Sequence, residues 1–531
     1  MIKSPKRIAI YVYNPERKVV PSYVLYFLSK LKEAVNEIIV IINGKIDEKE
    51  KQKFECIKPA LYERETKAPL FYCYRKGFFC IGNEKLNLYD EIIFASSNCM
   101  GPIYPFGAFF NKMSKCDVDF WSTVKCPPLN KNVINFNFEQ KEYIHAHFFS
   151  VRKTMFKDPR FKNYFEDLKK IKNKNDSREF EINFTQYFKS LNFKYTDCTN
   201  NDILKYGKID PDYIPDILIK EYTCPVIEKN SLIKGYGKMP YELYPNKIYN
   251  ALSYIKNETD YNSDFIIEET VKTLSAYEIK KNLHLNYILS DKTRENFVSK
   301  KAAFIFNYID EDFLNTLKEY IKDTFGLLDI YAINKKEPLK KDGVRITVLD
   351  NNISCFKQIK SLSGKYGAIC MFVLEEENIK NLNKIQKTDY VKYLLNSVIK
   401  NRIYINNILN TFEKNPRLGI LSPLPYINKA VYTKIQNKNL IEFAEKMDIN
   451  IKTDIEYLKS LHNVFWIKKE SIDKINDVID FECDNGLNKG IIFSLLNQKY
   501  GFLEGNVSPV EISKVYSDTV EYNLMKKIIF I

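Results

Sequence analysis

An apolar run, Glu91–Ala95 (EIIFA), passes directly into Ser96-Ser97-Asn98 and then into Gly101-Pro102. Neutral hydrogen-bonding groups where a strand gives out can grip a sugar or a phosphate, or cap the turn behind them. Asp117 and Asp119 form an Asp-x-Asp pair just before Phe120-Trp121. On a strand that spacing turns both carboxylates to one face, which suits a metal ion or a sugar; a cap or a salt bridge is the structural alternative. Trp121 could stack on a sugar or a base, or fill a core. His145 and His147, two apart in an apolar run, would share a face and could orient an acceptor. Glu181 opens a helical pattern, where the helix dipole favours its charge and a carboxylate can act as a base. Arg75 and Lys76 place two positive charges side by side, able to meet a phosphate or to lie on a solvated helix face.

The elements that must position these residues alternate between strand and helix. Arg7–Tyr13 (RIAIYVY) reads as a buried strand, and Tyr23, Leu25, Tyr26, Leu28, Leu31 and Val35 then fall at helical spacing. Ile38–Ile42 (IIVII) is a second strand that stops at the turn Asn43-Gly44. Strand, helix, strand is a βαβ unit, and parallel strands covered by helices bind ligands beyond their carboxyl ends. Glu91–Ala95 continues the pattern, so Ser96-Ser97-Asn98 lies at such an end. A helix over Phe106–Lys115, strands over Val118–Ser122 and Tyr143–Val151, and helices over Asp158–Lys170 and Phe180–Asn192 follow. The reading is a first α/β domain over residues 1–233, a helical connector over 234–298, and a second α/β domain over 299–531. The second opens with Ala302–Phe306, a helix over Asp312–Phe325, and strands Asp329–Ile333 and Arg345–Leu349. A weak internal echo pairs Tyr89–Phe94 with Tyr366–Phe372 and Phe120-Trp121 with Phe465-Trp466, either by chance or because two related domains stand in series.

Composition narrows the classes. A chain of 531 residues exceeds one core, and 45% hydrophobic with 14% aromatic residues argues against long disordered tracts. The net charge of +14 is spread along the chain and is compatible with anionic partners such as nucleotide diphosphates or lipid headgroups. No zinc-knuckle spacing, RNA-reading aromatic motif or basic heptad helix accompanies it, so nucleic acid is not expected as a partner. Eleven scattered cysteines without a CxxC pair, no leader-like N-terminus and no run of membrane-spanning length point to reduced thiols in a cytoplasmic protein. Four histidines make a His-rich metal site unexpected.

Taken in order, Arg7–Tyr13, Tyr23–Leu28, Ile38–Asn43, Tyr89–Phe94, Gly101–Pro105 and Asp119-Phe120-Trp121 resemble the rhamnan synthesis protein F family of bacterial glycosyltransferases. Glu181–Tyr187, Pro225-Val226-Ile227, Phe412–Pro423, Val464-Phe465-Trp466 and Asp480-Phe481-Glu482 extend the similarity over nearly the whole length. The resemblance implies GT-A-like (Rossmann-like) folds in both α/β domains. It also implies transfer of a sugar such as rhamnose from a nucleotide-sugar donor, for instance dTDP-rhamnose. The acceptor would be a lipid-linked glycan in bacterial cell-surface polysaccharide synthesis, worked on at the inner face of the plasma membrane, with peripheral membrane contact and other assembly transferases as partners.

By the same resemblance Glu181 and Asp119 are the catalytic candidates. Asn98, Ser97, Ser96, Arg75, Lys76 and Trp121 would meet the donor, and His147 and His145 the acceptor. Asp119 and Asp117 are the residues to hold Mg or Mn, if any metal is used. The sequence departs from the family in three places. Ser96-Ser97-Asn98 stands where the family reads Asn-Asp-Ser, Leu70 and Tyr72 replace an aspartate and a glycine, and the acidic run Glu375-Glu376-Glu377 replaces a basic stretch. A neutral loop leaves two readings open, a cation-independent transferase or a catalytically degenerate binding protein in the same pathway. Glu482 and Asp484 keep a carboxylate pair in the second half.

Overall fold

A computed structural model describes residues 5–16, 19–128, 141–168, 177–200, 202, 209–234, 247–274, 279–280, 283–293, 301–324, 326–333, 339–341, 344–349, 355–374, 379–424, 432–434, 438–447, 449, 456–458, 463–475 and 489–514. The chain divides into two compact units, Met1–Glu269 and Thr270–Ile531.

In the first unit the apolar runs become β1 (Arg7–Tyr13), β2 (Glu37–Ile42), β3 (Ala60–Glu63) and β4 (Glu91–Ser96). β1 lies between β2 and β4, parallel to both, and β3 extends the sheet beyond β2. Every residue of β1 and of β4 is buried, as a parallel strand covered on both faces requires. After the short β5 (Cys99–Met100) come β6 (Phe120–Ser122), β7 (Lys125–Cys126), β8 (Tyr143–Ile144), β9 (Phe148–Arg152), β10 (Tyr195–Asp197) and β11 (Ile227–Glu228). The main sheet has the order β10-β6-β9-β4-β1-β2-β3, with β9 antiparallel to β4 and β6. The other six strands run one way, so their carboxyl ends form one edge. Helices Leu70–Ile81 and Ser177–Ser190 cover one face with an aromatic core in which Phe94 and Phe149 stack at 4.6 Å beside Phe71 and Phe184.

The second unit contains β12 (Asn286–Leu289), β13 (Ala302–Asn307), β14 (Leu328–Ile333), β15 (Leu339–Lys341), β16 (Val344–Val348), β17 (Ala368–Val373), β18 (Leu418–Pro423), an antiparallel pair of β19 (Tyr432–Lys434) and β20 (Glu456–Leu458), β21 (Asn463–Lys468) and β22 (Leu503–Pro509). Its nine-stranded sheet has the order β12-β22-β18-β21-β17-β13-β14-β16-β15. Without the two outermost strands, this is the order and direction of the first sheet, with β21 antiparallel as β9 is. Within the stretch read as a connector, the structure describes helices Lys247–Glu258 and Asp264–Thr273 and strand β12, which pairs with β22.

The register aligns the two sheets residue by residue. Arg7 pairs with Glu91 and Glu91 with Arg152, as Ala302 pairs with Ala368 and Ala368 with Lys468. The echo between Tyr89–Phe94 and Tyr366–Phe372 therefore falls on equivalent strands, whereas the tryptophan echo does not. Trp121 sits on β6 opposite Ser150, and Trp466 sits on β21 opposite Leu421, so the indole has changed strands. Each unit places one buried indole and one smaller side chain at this cross-strand pair, which fills a similar volume from either side.

Candidate functional site

The strand ends of the first unit are tied together by neutral side chains. Ser97 Oγ accepts from the Asn14 amide at 3.0 Å, and the Tyr23 hydroxyl donates to the Ser97 carbonyl at 2.7 Å. Asn43, at the end of β2, donates to Asn14 Oδ1 at 2.7 Å and brackets Ala68 with two further bonds. Ser96 and Ser97 are buried, while Asn98 is half-buried. Behind the loop, β5 pairs with β11. Gly101 has to be glycine here, because a Cβ would stand 2.5 Å from the Pro225 carbonyl oxygen. The Lys229 amide donates to the Asn98 carbonyl at 2.8 Å. The Lys229 ammonium lies 2.7 Å from Glu269, 3.5 Å from Glu16 and 5.3 Å from the centre of the Tyr23 ring, so two carboxylates meet its charge.

His147 comes to this loop by a route other than strand alternation. The run expected as one strand breaks into β8 and β9, with a turn at Ala146-His147 between them. His147 Nδ1 lies 3.2 Å from Ser96 Oγ and 3.3 Å from Asn98 Nδ2. His145 points elsewhere, its Nδ1 3.1 Å from Glu228 Oε1. Burial works against the charged imidazole, but Glu228, the Cys126 thiol and Asp212 outweigh it and hold the His145 pKa well above its ordinary value. Glu181 reaches the same turn: its Oε1 accepts from the Ala146 amide at 2.8 Å. Loss of water raises the Glu181 carboxyl above its ordinary value, against the pull of His145 and His147. The helix begins at Ser177, so Glu181 stands in its second turn, where the dipole has largely faded. Its setting, rather than the helix end, shapes its chemistry.

Other expected residues lie apart from this cluster. Asp119 precedes β6 at the opposite end of the sheet, where its backbone carbonyl accepts from Arg152, the partner of the first residue of β4. Ser96 is five residues along β4 from Glu91, about 16 Å at the usual rise per residue. The Asp119 carboxylate is occupied by the Thr154 hydroxyl at 2.7 Å and the Lys194 amide at 2.9 Å, and Asp117 pairs with Lys194. Trp121 is fully buried against Phe109 and Phe110, with its N–H donated to Glu91 Oε1 at 2.8 Å. It cannot stack on a ligand. Arg75 donates to the Phe165 carbonyl at 2.8 Å and lies over Phe79, while Lys76 donates to the Glu63 carbonyl at 2.6 Å. The Tyr72 hydroxyl binds the Leu168 carbonyl and its ring packs on Phe180, so it closes the helix layer. The acidic run Glu375-Glu376-Glu377 and the pair Glu482 and Asp484 lie outside the described residues.

Sequence reasoning missed Asn14, Tyr23, Glu228 and Lys229. Asn43 was legible only as a turn, and Glu228-Lys229 directly follow the quoted Pro225-Val226-Ile227. The loop itself offers a divalent cation no carboxylate, and a hard cation favours charged oxygens, so these three residues do not fit Mg or Mn.

Hydrogen-bonding side chains gathered at the carboxyl ends of a largely parallel sheet, flanked by a carboxylate of raised pKa, are the arrangement of an enzyme's site. The class is a glycosyltransferase of polysaccharide synthesis. The chain belongs to the rhamnan synthesis protein F family, whose model matches residues 38–486. No curated protein matches the chain in sequence. Among solved structures it is similar to the glycosyltransferase GlyE of Streptococcus pneumoniae, at 8% identity over 77% of this chain and 99% of that one, with a TM-score of 0.25. It is similar to 4-diphosphocytidyl-2C-methyl-D-erythritol synthase of Anaerococcus prevotii, at 10% identity over 36% of this chain and 86% of that one, with a TM-score of 0.26. Core-mannan synthase A of Aspergillus fumigatus, in a Mn/GDP form, is similar at 8% identity over 38% of this chain and 73% of that one, with a TM-score of 0.22. Likenesses this faint carry no weight for the assignment, which rests on the family match. Among the described residues no helix is long and apolar enough to cross a membrane.

Proposed function

We propose that the first unit transfers a sugar, rhamnose in our reading, from a nucleotide-sugar donor such as dTDP-rhamnose to a lipid-linked glycan. The observation that carries the proposal is the convergence of Glu181, His147 and the Ser96-Ser97-Asn98 loop at one strand edge. The donor lies against Asn98, with Ser96, Ser97 and Asn14 supporting that edge. The loop meets a leaving diphosphate with neutral hydrogen-bonding side chains, and the Lys229 amide holds the Asn98 carbonyl in place behind it. Glu181 takes the proton from the acceptor hydroxyl as that oxygen attacks the anomeric carbon and the bond to the diphosphate breaks. His147 orients the acceptor, and the chain's net positive charge favours the anionic membrane face where a lipid-linked acceptor lies.

Calorimetry with a panel of nucleotide sugars tests the donor site. One donor should bind, and Asn98→Ala should weaken it roughly tenfold, the worth of one good hydrogen bond. Absence of binding by every member would end the proposal. The neutral loop also favours a second reading, a protein that holds the donor or glycan without reacting it. Binding without transfer, unchanged by Glu181→Gln, would establish that reading.

A further inference from the structure

A second polar cluster lies behind the loop, and the transfer chemistry above does not use it. His145, Asp212 and Glu228 each offer one ligand atom, and these three atoms lie within 4.8 Å of one another; Cys126, His145 and Asp210 form a second such group. All five residues are buried. They come from four places that the fold fixes separately. Cys126 ends β7, His145 precedes the turn before β9, Glu228 lies on β11 opposite Cys99, and Asp212 sits in a short 3-10 helix, Pro211–Tyr213, capped by the Asp210 carboxylate. Asp212 Oδ1 also accepts from Ser231 Oγ at 3.2 Å. Beside the two carboxylates is a mainly apolar cavity of about 10 Å³, whose polar lining is Asp212, Glu228 and Ser231. That is room for about one water molecule.

We propose that His145, Asp212 and Glu228 bind one divalent metal ion of the zinc class, with a water in the adjoining cavity as the fourth ligand. Borderline metals take imidazole and carboxylate together at about 2.0–2.2 Å, which sets tetrahedral ligand atoms roughly 3.3–3.6 Å apart. His145 Nδ1 and Glu228 Oε1 already stand at 3.1 Å, near that spacing, and the Asp212 ligand atom lies within 4.8 Å of the other two. Cys126 and Asp210 each present an atom within 4.8 Å of the same imidazole, close enough to serve as outer partners once the metal is bound. Glu228 is adjacent to Lys229, whose amide holds the Asn98 carbonyl, so the ion clamps the support of the donor loop and takes no part in the transfer itself.

The test uses the tag-free full-length protein, stripped with a chelator and titrated with Co²⁺ while its visible absorption is read. About one equivalent should bind with the intense bands of a four-coordinate site, and Zn²⁺ should displace it and raise the melting temperature. Glu228→Gln and Asp212→Asn should each weaken cobalt binding at least tenfold. Cys126→Ser should still bind one equivalent, and the wild type should lack a thiolate-to-cobalt charge-transfer band. Failure of the wild-type protein to bind cobalt overturns the proposal, and that result does not depend on any variant folding. Binding unchanged in both carboxylate variants, or a thiolate band lost in Cys126→Ser, also overturns it. None of these readouts requires transferase activity, so the site stands or falls separately from the function proposed above.

Discussion

Arg7 and Glu91 form an ion pair at 2.6 Å, with side chains 7% and 6% exposed, and Trp121 donates to the second oxygen of the same carboxylate. Removing Glu91 strands both a buried guanidinium and a buried indole N–H. Breaking a buried pair from one side costs about 3–5 kcal/mol, of which the stranded indole accounts for roughly 1–3. The second unit shows that the topology can do without the pair, because Ala302 and Ala368 occupy the matching positions. We therefore expect Glu91→Ala and Arg7→Ala each to cost about 3–5 kcal/mol, and the double variant to cost about the same as either single rather than their sum. Each unit holds one tryptophan, so urea unfolding in a Trp466→Phe background reports on the first unit through Trp121 fluorescence. A loss below about 1 kcal/mol for Glu91→Ala, or strict additivity in the double variant, would refute the reasoning.

Three further outcomes are expected. Gly77→Ala drives a Cβ to 2.4 Å from Ile10 Cγ2 between helix and sheet; overpacking of about 1–3 kcal/mol should outweigh the roughly 1 kcal/mol gained in helix propensity, and Ile10→Ala should cost less in that background than alone. Burial raises the Glu142 pKa, but the Tyr195 hydroxyl, Lys125 and Lys189 outweigh it and bring it below the ordinary value. Its stabilising contribution is therefore present above the ordinary glutamate pKa and is lost as pH falls through the lowered folded value, so Glu142→Gln should flatten the acid side of a melting-temperature profile. Asp119→Ala removes the acceptor of Thr154 and Lys194 at the far end of the sheet. It should lower stability by about 1–2 kcal/mol in denaturant melts and leave the turnover number for transfer unchanged.

Strands and helices of the first unit were legible because parallel strands buried on both faces read as unbroken apolar runs, as Arg7–Tyr13 and Glu37–Ile42 do. Ser96-Ser97-Asn98 could be placed at a strand's carboxyl end for the same reason. Short strands escaped notice. Ala60–Glu63 and Tyr195–Asp197 hold their places by pairing with long neighbours, which a local pattern does not record. Strand alternation predicts His145 and His147 on one face, whereas a turn separates their partners and still leaves both near Glu181. Asp117 and Asp119 carried a promising spacing, but spacing does not say which end of a strand they occupy. The cluster of Cys126, His145, Asp210, Asp212 and Glu228 is assembled from separate loops and short elements and has no signature in the linear sequence.

The central claim is that Glu181 acts as the base at a donor site formed by the strand ends of the first unit. Its most direct measurement is the transfer rate of Glu181→Gln at saturating donor, set beside the donor affinity of the same variant by calorimetry. The account expects the turnover number to fall by about 10²–10⁴ with donor affinity within twofold of wild type. Turnover equal to that of the wild type, with the variant folded and binding donor, would contradict it.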